Sequence, residues 1–131
     1  DLHVKNLAYN TASQMSPLNS ALHSINFTLH QDTPVMMPDM FESIYCAASR
    51  KSQSGMVLGE NQKISVLEAL KAVTINAAKQ YRQDDKKGSI SPGKAADYII
   101  LDKNPLSVGL DEIRNIKVLE TIKNGNTVWK L

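Results

Sequence analysis

Residues 26–35 carry the strongest fold signal of the chain, with the sequence Asn26-Phe27-Thr28-Leu29-His30-Gln31-Asp32-Thr33-Pro34-Val35. Apolar and polar residues alternate here with a period of two, which predicts a strand with one apolar face and one polar face. Because proline cannot donate a hydrogen bond to a strand ladder, Pro34 is expected to end the strand. Phe27 and Leu29 occupy the apolar face, and the polar face carries Asn26, Thr28, His30 and, by parity, Asp32.

Helices are predicted on both sides of this strand. Ser16 and Pro17 form an N-cap with proline at the first helical position, and Asp39 and Glu42 suit a second helix N-terminus. The stretch Ser65–Glu68 is a capping box and opens the longest helix. Apolar residues then recur at helical spacing in each segment. The predicted helices span residues 17–24, 38–52 and 65–81, after a polar segment at 1–15 that predicts irregular structure.

The character of the chain changes after residue 83, where a charged linker precedes segments interrupted by glycine and proline. Residues 98–101 form a short apolar run that predicts a buried strand. Asn124-Gly125 predicts a hairpin between strands at 116–123 and 127–131, because both residues accept positive φ. The sequence therefore predicts an α/β chain with a helix-rich part, residues 1–83, and a strand-rich part, residues 84–131.

Composition narrows the function classes. The 131 residues are 42% hydrophobic and 21% charged, which indicates a globular chain, and the net charge of +2 gives no reason to expect nucleic acid or an anionic membrane as partner. No apolar stretch approaches the roughly 18 residues that span a bilayer. The single cysteine cannot form an internal disulfide, so nothing requires an oxidising compartment. The first residues contain no apolar signal region, and we therefore expect a cytoplasmic location. Since residue 1 is Asp1 and not Met, we expect the chain to have been cut from a longer one.

Three segments, in order along the chain, resemble the amidohydrolase superfamily in its YtcJ-like branch, amidohydrolase family 3. The first is Phe27–Val35, which is similar to the last barrel strand of that family. The second is Ile64–Ala78, which is similar to the helix that follows closure of the barrel. The third is Lys87–Asp102, which together with Val118–Gly125 resembles the small β-sandwich beside the barrel. The resemblance implies that residues 1–83 are the last strand and helices of a (β/α)8 TIM barrel, and residues 84–131 the C-terminal strands of a composite β-sandwich domain.

The resemblance also indicates what this sequence lacks. A TIM barrel needs about 250 residues, and the family's His-x-His pair occurs nowhere in this sequence. We therefore expect the missing N-terminal part of its own chain as a partner. We expect this chain alone to be inactive and to hold no metal, since a catalytic metal takes about three protein ligands. Its uncovered apolar faces predict either exposed apolar patches or self-association.

Asp32 is the candidate catalytic residue. From the residues alone it is either a functional carboxylate at a strand end or an aspartate that satisfies a turn before Pro34. The resemblance implies the first role, in which Asp32 is a metal ligand in the complete protein and carries a proton from water to the leaving group. His30 lies on the same face, two residues earlier, and is a candidate for substrate binding or a polar residue lining the barrel interior. Cys46 lies in a helical pattern without a nearby histidine, which favours a structural thiol over a nucleophile.

Three functions compete. The resemblance implies a hydrolase of carbon–nitrogen, non-peptide amide-like bonds, which uses water activated by a divalent metal, zinc being expected, and takes a small-molecule substrate. The alternative is a non-catalytic regulatory protein, of the kind named for exoenzyme production, that reuses the amidohydrolase fold. A stand-alone α/β interaction domain is the third, and the apolar faces of its strand and helices argue against it. The His ligands upstream of this sequence would discriminate between the first two.

Overall fold

The structure, a computed structural model, describes residues 1–131, in which five α-helices precede a three-stranded antiparallel sheet. None of the helices combines the length and the hydropathy that crossing a bilayer requires. Short 3-10 helices occur at Glu60–Gln62 and Leu110–Asn115. The other elements are α1 (Leu2–Ser13), α2 (Leu18–Leu22), α3 (Met40–Ser49), α4 (Val66–Val73), α5 (Ile75–Gln80), β1 (Tyr98–Leu101), β2 (Val118–Lys123) and β3 (Asn126–Lys130).

The first fifteen residues, for which we predicted irregular structure, form α1 instead, with a break at Ala8 (φ 61°, ψ 160°). Contacts with distant residues hold this helix. The Tyr9 hydroxyl donates to the Val57 carbonyl at 3.1 Å, and the Arg50 guanidinium donates to the Ser13 and Met15 carbonyls at 3.3 and 2.8 Å. The prediction was wrong because such contacts leave no periodic pattern in the local sequence.

The next two predicted helices are confirmed in place, as α2 and α3. The prediction that Ser16 is the N-cap of α2 was wrong, because Pro17 occupies that position and no side chain caps the helix. Asp39 caps α3, and its Oδ1 accepts hydrogen bonds from the backbone N–H groups of Phe41 and Glu42 at 2.9 and 3.3 Å. The helix ends at Arg50, which has left-handed backbone angles (φ 57°, ψ 19°). A capping aspartate and a left-handed C-terminal residue are standard helix boundaries.

The helix predicted over residues 65–81 is divided into α4 and α5 at Thr74, whose φ and ψ are −125° and −94°. The Thr74 hydroxyl donates to the Leu70 carbonyl one turn earlier, at 2.7 Å. Hydroxyl groups that bond back to the preceding turn in this way often bend helices. At the start of α4 only half of the capping box forms: Ser65 Oγ accepts from Glu68 N–H, while the Glu68 carboxylate binds Lys71.

The strand predicted over residues 26–30 forms no ladder, so this prediction was wrong for the chain as it stands. A strand takes its ladder hydrogen bonds from neighbouring strands, and no strand of this chain lies beside this segment. The predicted alternation is present only in part, since Phe27 and Leu29 pack on the helical core and Asn26 and His30 are exposed, but Thr28 is half-buried as well.

The sheet confirms the predicted hairpin. Its strand order is β1-β2-β3, and Asn124 (φ 49°) and Gly125 (φ 77°) form the turn between β2 and β3. The strand predicted at residues 98–101 is β1, but the prediction that it is buried was wrong. Its residues Tyr98, Ile99 and Ile100 are between 41% and 47% exposed, because no further layer of this chain covers the sheet.

The hydrophobic core lies among α3, α4 and the second 3-10 helix. Its buried members come from both the helix-rich and the strand-rich part of the chain, because Ile113 of the 3-10 helix is completely buried against the helices. Phe27 and Leu29 pack on the same cluster, so the core supports the segment that leads to Asp32. The cluster consists of Ile44, Tyr45, Ala47, Ile64, Ala69 and Ile113.

Candidate functional site

The segment from Phe27 to Asp32 is fastened to two helices. At its start, the Asn76 side chain of α5 donates to the Phe27 carbonyl at 3.2 Å, and Thr28 donates to the Gln80 side chain at 2.9 Å. These bonds take the place of a strand ladder. They engage Thr28 of the predicted polar face, whereas the candidate residues His30 and Asp32 stay exposed.

At its end, the segment is fastened by Gln31, which is buried. Its Nε2 donates to Ser43 Oγ at 2.7 Å and to the carbonyl oxygen of Asp39, at the N-terminus of α3. Sequence reasoning did not single out Gln31. The available signal was its parity, since Gln31 is a polar residue on the apolar face of Phe27 and Leu29.

Asp32 follows directly and is exposed. Its backbone has a positive φ of 59°, and its carbonyl accepts from the Val35 N–H at 2.8 Å, so a tight turn begins here. The turn contains the cis peptide bond between Thr33 and Pro34, as in type VI turns. The Asp32 carboxylate makes no hydrogen bond or ion pair within the chain. The turn is thus held by this backbone bond and by the Thr33 hydroxyl, which donates to the Met36 carbonyl at 3.0 Å, and the Asp32 carboxylate is not used to stabilise it.

His30 is exposed and lines a cleft of about 420 Å³ between residues 28–31 and α3. Asp32 does not line this cleft. Both candidate residues are exposed, but only His30 lines the cleft, so the structure does not bring them together in one cavity. Other polar or titratable residues lining the cleft are Ser16, Thr28, Gln31, Glu42, Ser43, Cys46 and Arg50.

Metal binding requires several donor side chains close together. No group of three or more His, Cys, Asp or Glu side chains converges anywhere in the chain. Asp32 can provide one carboxylate ligand, but a catalytic zinc takes about three protein ligands. The residues present therefore fit part of a donor set and do not form a metal site by themselves.

Cys46 lies in the cleft wall but is unsuited to be a nucleophile. Burial, and after it the Glu42 carboxylate, whose Oε1 is 3.6 Å from the sulfur, together raise the pKa of its thiol to about 11. Because only a thiolate attacks effectively, a thiol with this pKa is nearly inert at neutral pH. The side chain is half-buried, and its chemistry is that of the structural thiol predicted from the sequence.

Arg50 is a second residue that the sequence did not single out. Its guanidinium donates to four backbone carbonyls: those of Leu58 and Ser16 at 2.7 Å, Met15 at 2.8 Å and Ser13 at 3.3 Å. Partial burial lowers its pKa. Since its donors are occupied by carbonyls, Arg50 serves to join α1, α3 and the loop at Leu58, and it does not provide an anion site.

Comparison with known proteins gives a consistent result. A family model described as "Amidohydrolase family" matches residues 2–129. The N-substituted formamide deformylase of Arthrobacter pascens is 29% identical over 113 residues, 86% of this chain and 21% of that protein. YtcJ of Bacillus subtilis strain 168, named as an amidohydrolase, is 28% identical over 102 residues, 76% of this chain and 19% of that protein.

A further relative is the 5-methylthioadenosine/S-adenosylhomocysteine deaminase of Thermoanaerobacter pseudethanolicus, 39% identical over 95 residues, 70% of this chain and 21% of that protein. The chain spans about a fifth of the length of these curated relatives.

Among solved structures, that of an amidohydrolase from Thermotoga maritima MSB8 matches with a TM-score of 0.64 and 21% identity. The aligned region covers 100% of this chain and 28% of the Thermotoga chain. This likeness shows a shared fold. The chain therefore belongs to the amidohydrolase family, in the YtcJ-like branch predicted from its sequence, and has an α/β amidohydrolase fold.

Proposed function

We propose that the complete protein hydrolyses carbon–nitrogen bonds of the non-peptide, amide-like type, and that this chain supplies Asp32 to its active site. The family match supports the hydrolase class, and two relatives carry names, deformylase and deaminase, that denote cleavage of a carbon–nitrogen bond. The observation that carries the proposal is the state of Asp32. Its carboxylate is exposed, has no partner in the chain, and follows a segment fastened to two helices.

In this proposal residues 1–83 form the C-terminal end of a (β/α)8 barrel, and residues 84–131 are the last strands of a composite β-sandwich. The two-sided exposure of β1 supports the second assignment, because strands of a sandwich are covered on one face. The partner is the remainder of the same polypeptide, and without it the exposed apolar faces would promote self-association. The setting we propose is the cytoplasm.

Asp32 would serve as a metal ligand and as a proton carrier. A divalent cation, for which we propose zinc, lowers the pKa of a water molecule to about 7 when it is bound in sites of this kind. Asp32 would contribute one carboxylate oxygen to the donor set. Its other oxygen would accept the proton of the attacking water and pass it to the leaving nitrogen as the carbon–nitrogen bond breaks. His30, on the same open face, would contact the substrate.

The test uses the complete protein, stripped of metal with a chelator and reloaded with zinc, with an N-substituted formamide and an aminopurine nucleoside as probe substrates. Release of formate or ammonia is measured for wild type and Asp32→Asn. General acid–base groups contribute about 10²–10⁴-fold, and a loss of that size is expected. The control is Asp85→Asn, which neutralises an exposed carboxylate in the charged linker and should leave turnover unchanged.

Two results would overturn the proposal. Undiminished turnover by Asp32→Asn would remove Asp32 from the mechanism. A complete protein that binds no divalent metal and cleaves neither probe would favour the non-catalytic, regulatory alternative. For this chain alone we expect neither zinc binding nor hydrolysis, and tight binding of one zinc per chain would contradict the role of Asp32 as one ligand among several.

A further inference from the structure

Gln31 is the last residue before Asp32 whose side chain is fixed by contacts within the chain. It is buried, and its amide donates to Ser43 Oγ at 2.7 Å and to the Asp39 carbonyl. A buried amide destabilises a protein unless its hydrogen bonds are satisfied, and here two acceptors of α3 satisfy it. An apolar residue would fill the same space without this requirement, so stability alone does not explain a glutamine.

The acceptors are themselves rigid. Asp39 is the N-cap of α3, and its carbonyl also accepts from the Ser43 N–H at 3.3 Å. Ser43 lies in the first turn of the same helix. Gln31 therefore connects the backbone immediately before Asp32 to a helix N-terminus whose cap is formed.

The turn after Asp32 has little packing of its own. Val35 and Met37 are 76% and 78% exposed, and the bonds inside the turn are local ones, such as that from the Val35 N–H to the Asp32 carbonyl. No strand of the chain supports the segment. Leu29 packs on the core two residues earlier, and Gln31 makes the last side-chain contact with α3 before Asp32.

We propose that Gln31, held by Ser43 and the Asp39 carbonyl, is a positioning residue that sets where the Asp32 carboxylate lies. The inference rests on the proposed function, because a positioning role requires that Asp32 takes part in the reaction. Catalytic groups must be held within a fraction of an ångström, and a misplacement of about 1 Å can lower the rate about 100-fold.

The first test is steady-state kinetics of the complete, zinc-loaded protein. Gln31→Leu keeps the approximate size of the side chain and removes its donor. We expect kcat to fall about 10- to 100-fold while KM changes less than about twofold, because binding groups elsewhere are untouched. Gln53→Leu, at an exposed position in the loop after α3, is the matched control and should retain wild-type kcat.

Ser43 provides a pair of variants that covers the case in which Gln31→Leu fails to fold. Ser43→Ala removes one acceptor, whereas Ser43→Thr keeps the hydroxyl. The inference expects Ser43→Ala to lose kcat by about 3- to 10-fold and Ser43→Thr to stay within about twofold of wild type. Equal kcat values for the two variants would overturn it, as would wild-type kcat in folded Gln31→Leu.

Hydrogen exchange of the complete protein gives a readout that does not depend on activity. In Gln31→Leu, peptides covering residues 32–37 should exchange about tenfold faster, while those of α3 keep their protection. Unchanged exchange in the turn would also overturn the inference. Asp32→Asn separates the two proposals: if this variant retains turnover, the proposed function fails, whereas if it is inactive and Gln31→Leu is not, only the positioning role fails.

Discussion

Arg114 binds the Glu42 carboxylate through two hydrogen bonds, with its Nε at 2.7 Å from one oxygen and its Nη2 at 3.1 Å from the other. The same guanidinium lies 4.6 Å from the centre of the Tyr45 ring. Arg114 belongs to the second 3-10 helix and Glu42 and Tyr45 to α3, so this contact joins the strand-rich tail to the helices. It also fixes a negative charge beside the only cysteine.

This charge predicts a change in the reactivity of Cys46. The pKa of the thiol is raised from 9.0 to about 11 by burial first, and then by Glu42. Glu42→Gln removes the second cause and leaves Arg114 to favour the thiolate, so the pKa should fall and alkylation by iodoacetamide at a pH of about 8 should become faster. Glu112→Gln, which alters a carboxylate of the 3-10 helix paired with Lys103, is the control and should leave the rate unchanged.

The pH dependence of stability follows from the same shift. A thiol whose pKa is higher in the folded chain than in the unfolded one stabilises the fold fully below the unfolded value. Its contribution should therefore be complete below pH 9.0 and be lost as the pH rises to about 11. Urea unfolding of wild type and Cys46→Ala over this range measures it, and parallel pH profiles for the two would contradict the prediction.

Ile113 is expected to stabilise the helical part of the chain. It is completely buried against α3 and α4, so Ile113→Ala should lower the free energy of unfolding by about 2–5 kcal/mol. Ile90, also in the tail, is 86% exposed, and Ile90→Ala should change it by less than about 0.5 kcal/mol. Chemical denaturation compares the two, and equal effects would show that Ile113 does not belong to the core.

Gly59 is required by a close approach of two backbones. Its φ is +64°, and a Cβ at this position would overlap the Ser13 carbonyl oxygen that also receives Arg50. Gly59→Ala should destabilise the chain by about 2–4 kcal/mol, from the strained backbone and the overlap together. Gly55, with a φ of +86° and open space around it, isolates the backbone cost, and Gly55→Ala should cost about 1 kcal/mol. Thermal unfolding that gives the same loss for both variants would exclude the overlap as a cause.

Ser65 should stabilise α4 through its cap. Ser65 Oγ accepts from the Glu68 N–H at 3.1 Å, and Ser65→Ala should cost about 1 kcal/mol. The control is Ser107→Ala, the same substitution at an exposed serine whose side chain makes no hydrogen bond in the chain. A difference near zero between the two variants in urea unfolding would mean that solvent replaces the cap.

Local chemistry explains which elements could be predicted. The cap at Ser65 and the turn at Asn124-Gly125 depend on residues within one turn of each other, and both formed where the sequence placed them. The N-cap predicted at Ser16 did not form. Residues 26–30 lack a ladder, and β1 is exposed, because both outcomes depend on which strands and layers lie alongside. Sequence periodicity contains no information about whether those neighbours belong to the same chain.

The site divides in the same way. Parity placed His30 and Asp32 on the polar face, and both residues are exposed. Their roles stay predictions, since they depend on groups that this chain does not contain. Gln31 and Arg50 were missed because their partners, on α3, α1 and the loop at Leu58, lie at least eight residues away. In other sequences, a polar residue on an apolar strand face could reveal a residue that acts like Gln31.

The burial of Ile113 among helical residues has a consequence for how such chains can be recombined. A chimera that takes residues 1–83 from one relative and the remainder from another would join two halves of a single core that had diverged separately. Ile44, Ala47 and Ile64 on one side would meet an unmatched residue from the other parent. A crossover after the 3-10 helix, at residue 116, keeps these partners together. Because β1 pairs with β2, that crossover would divide the sheet instead, so the two parts of the chain can be exchanged intact only together.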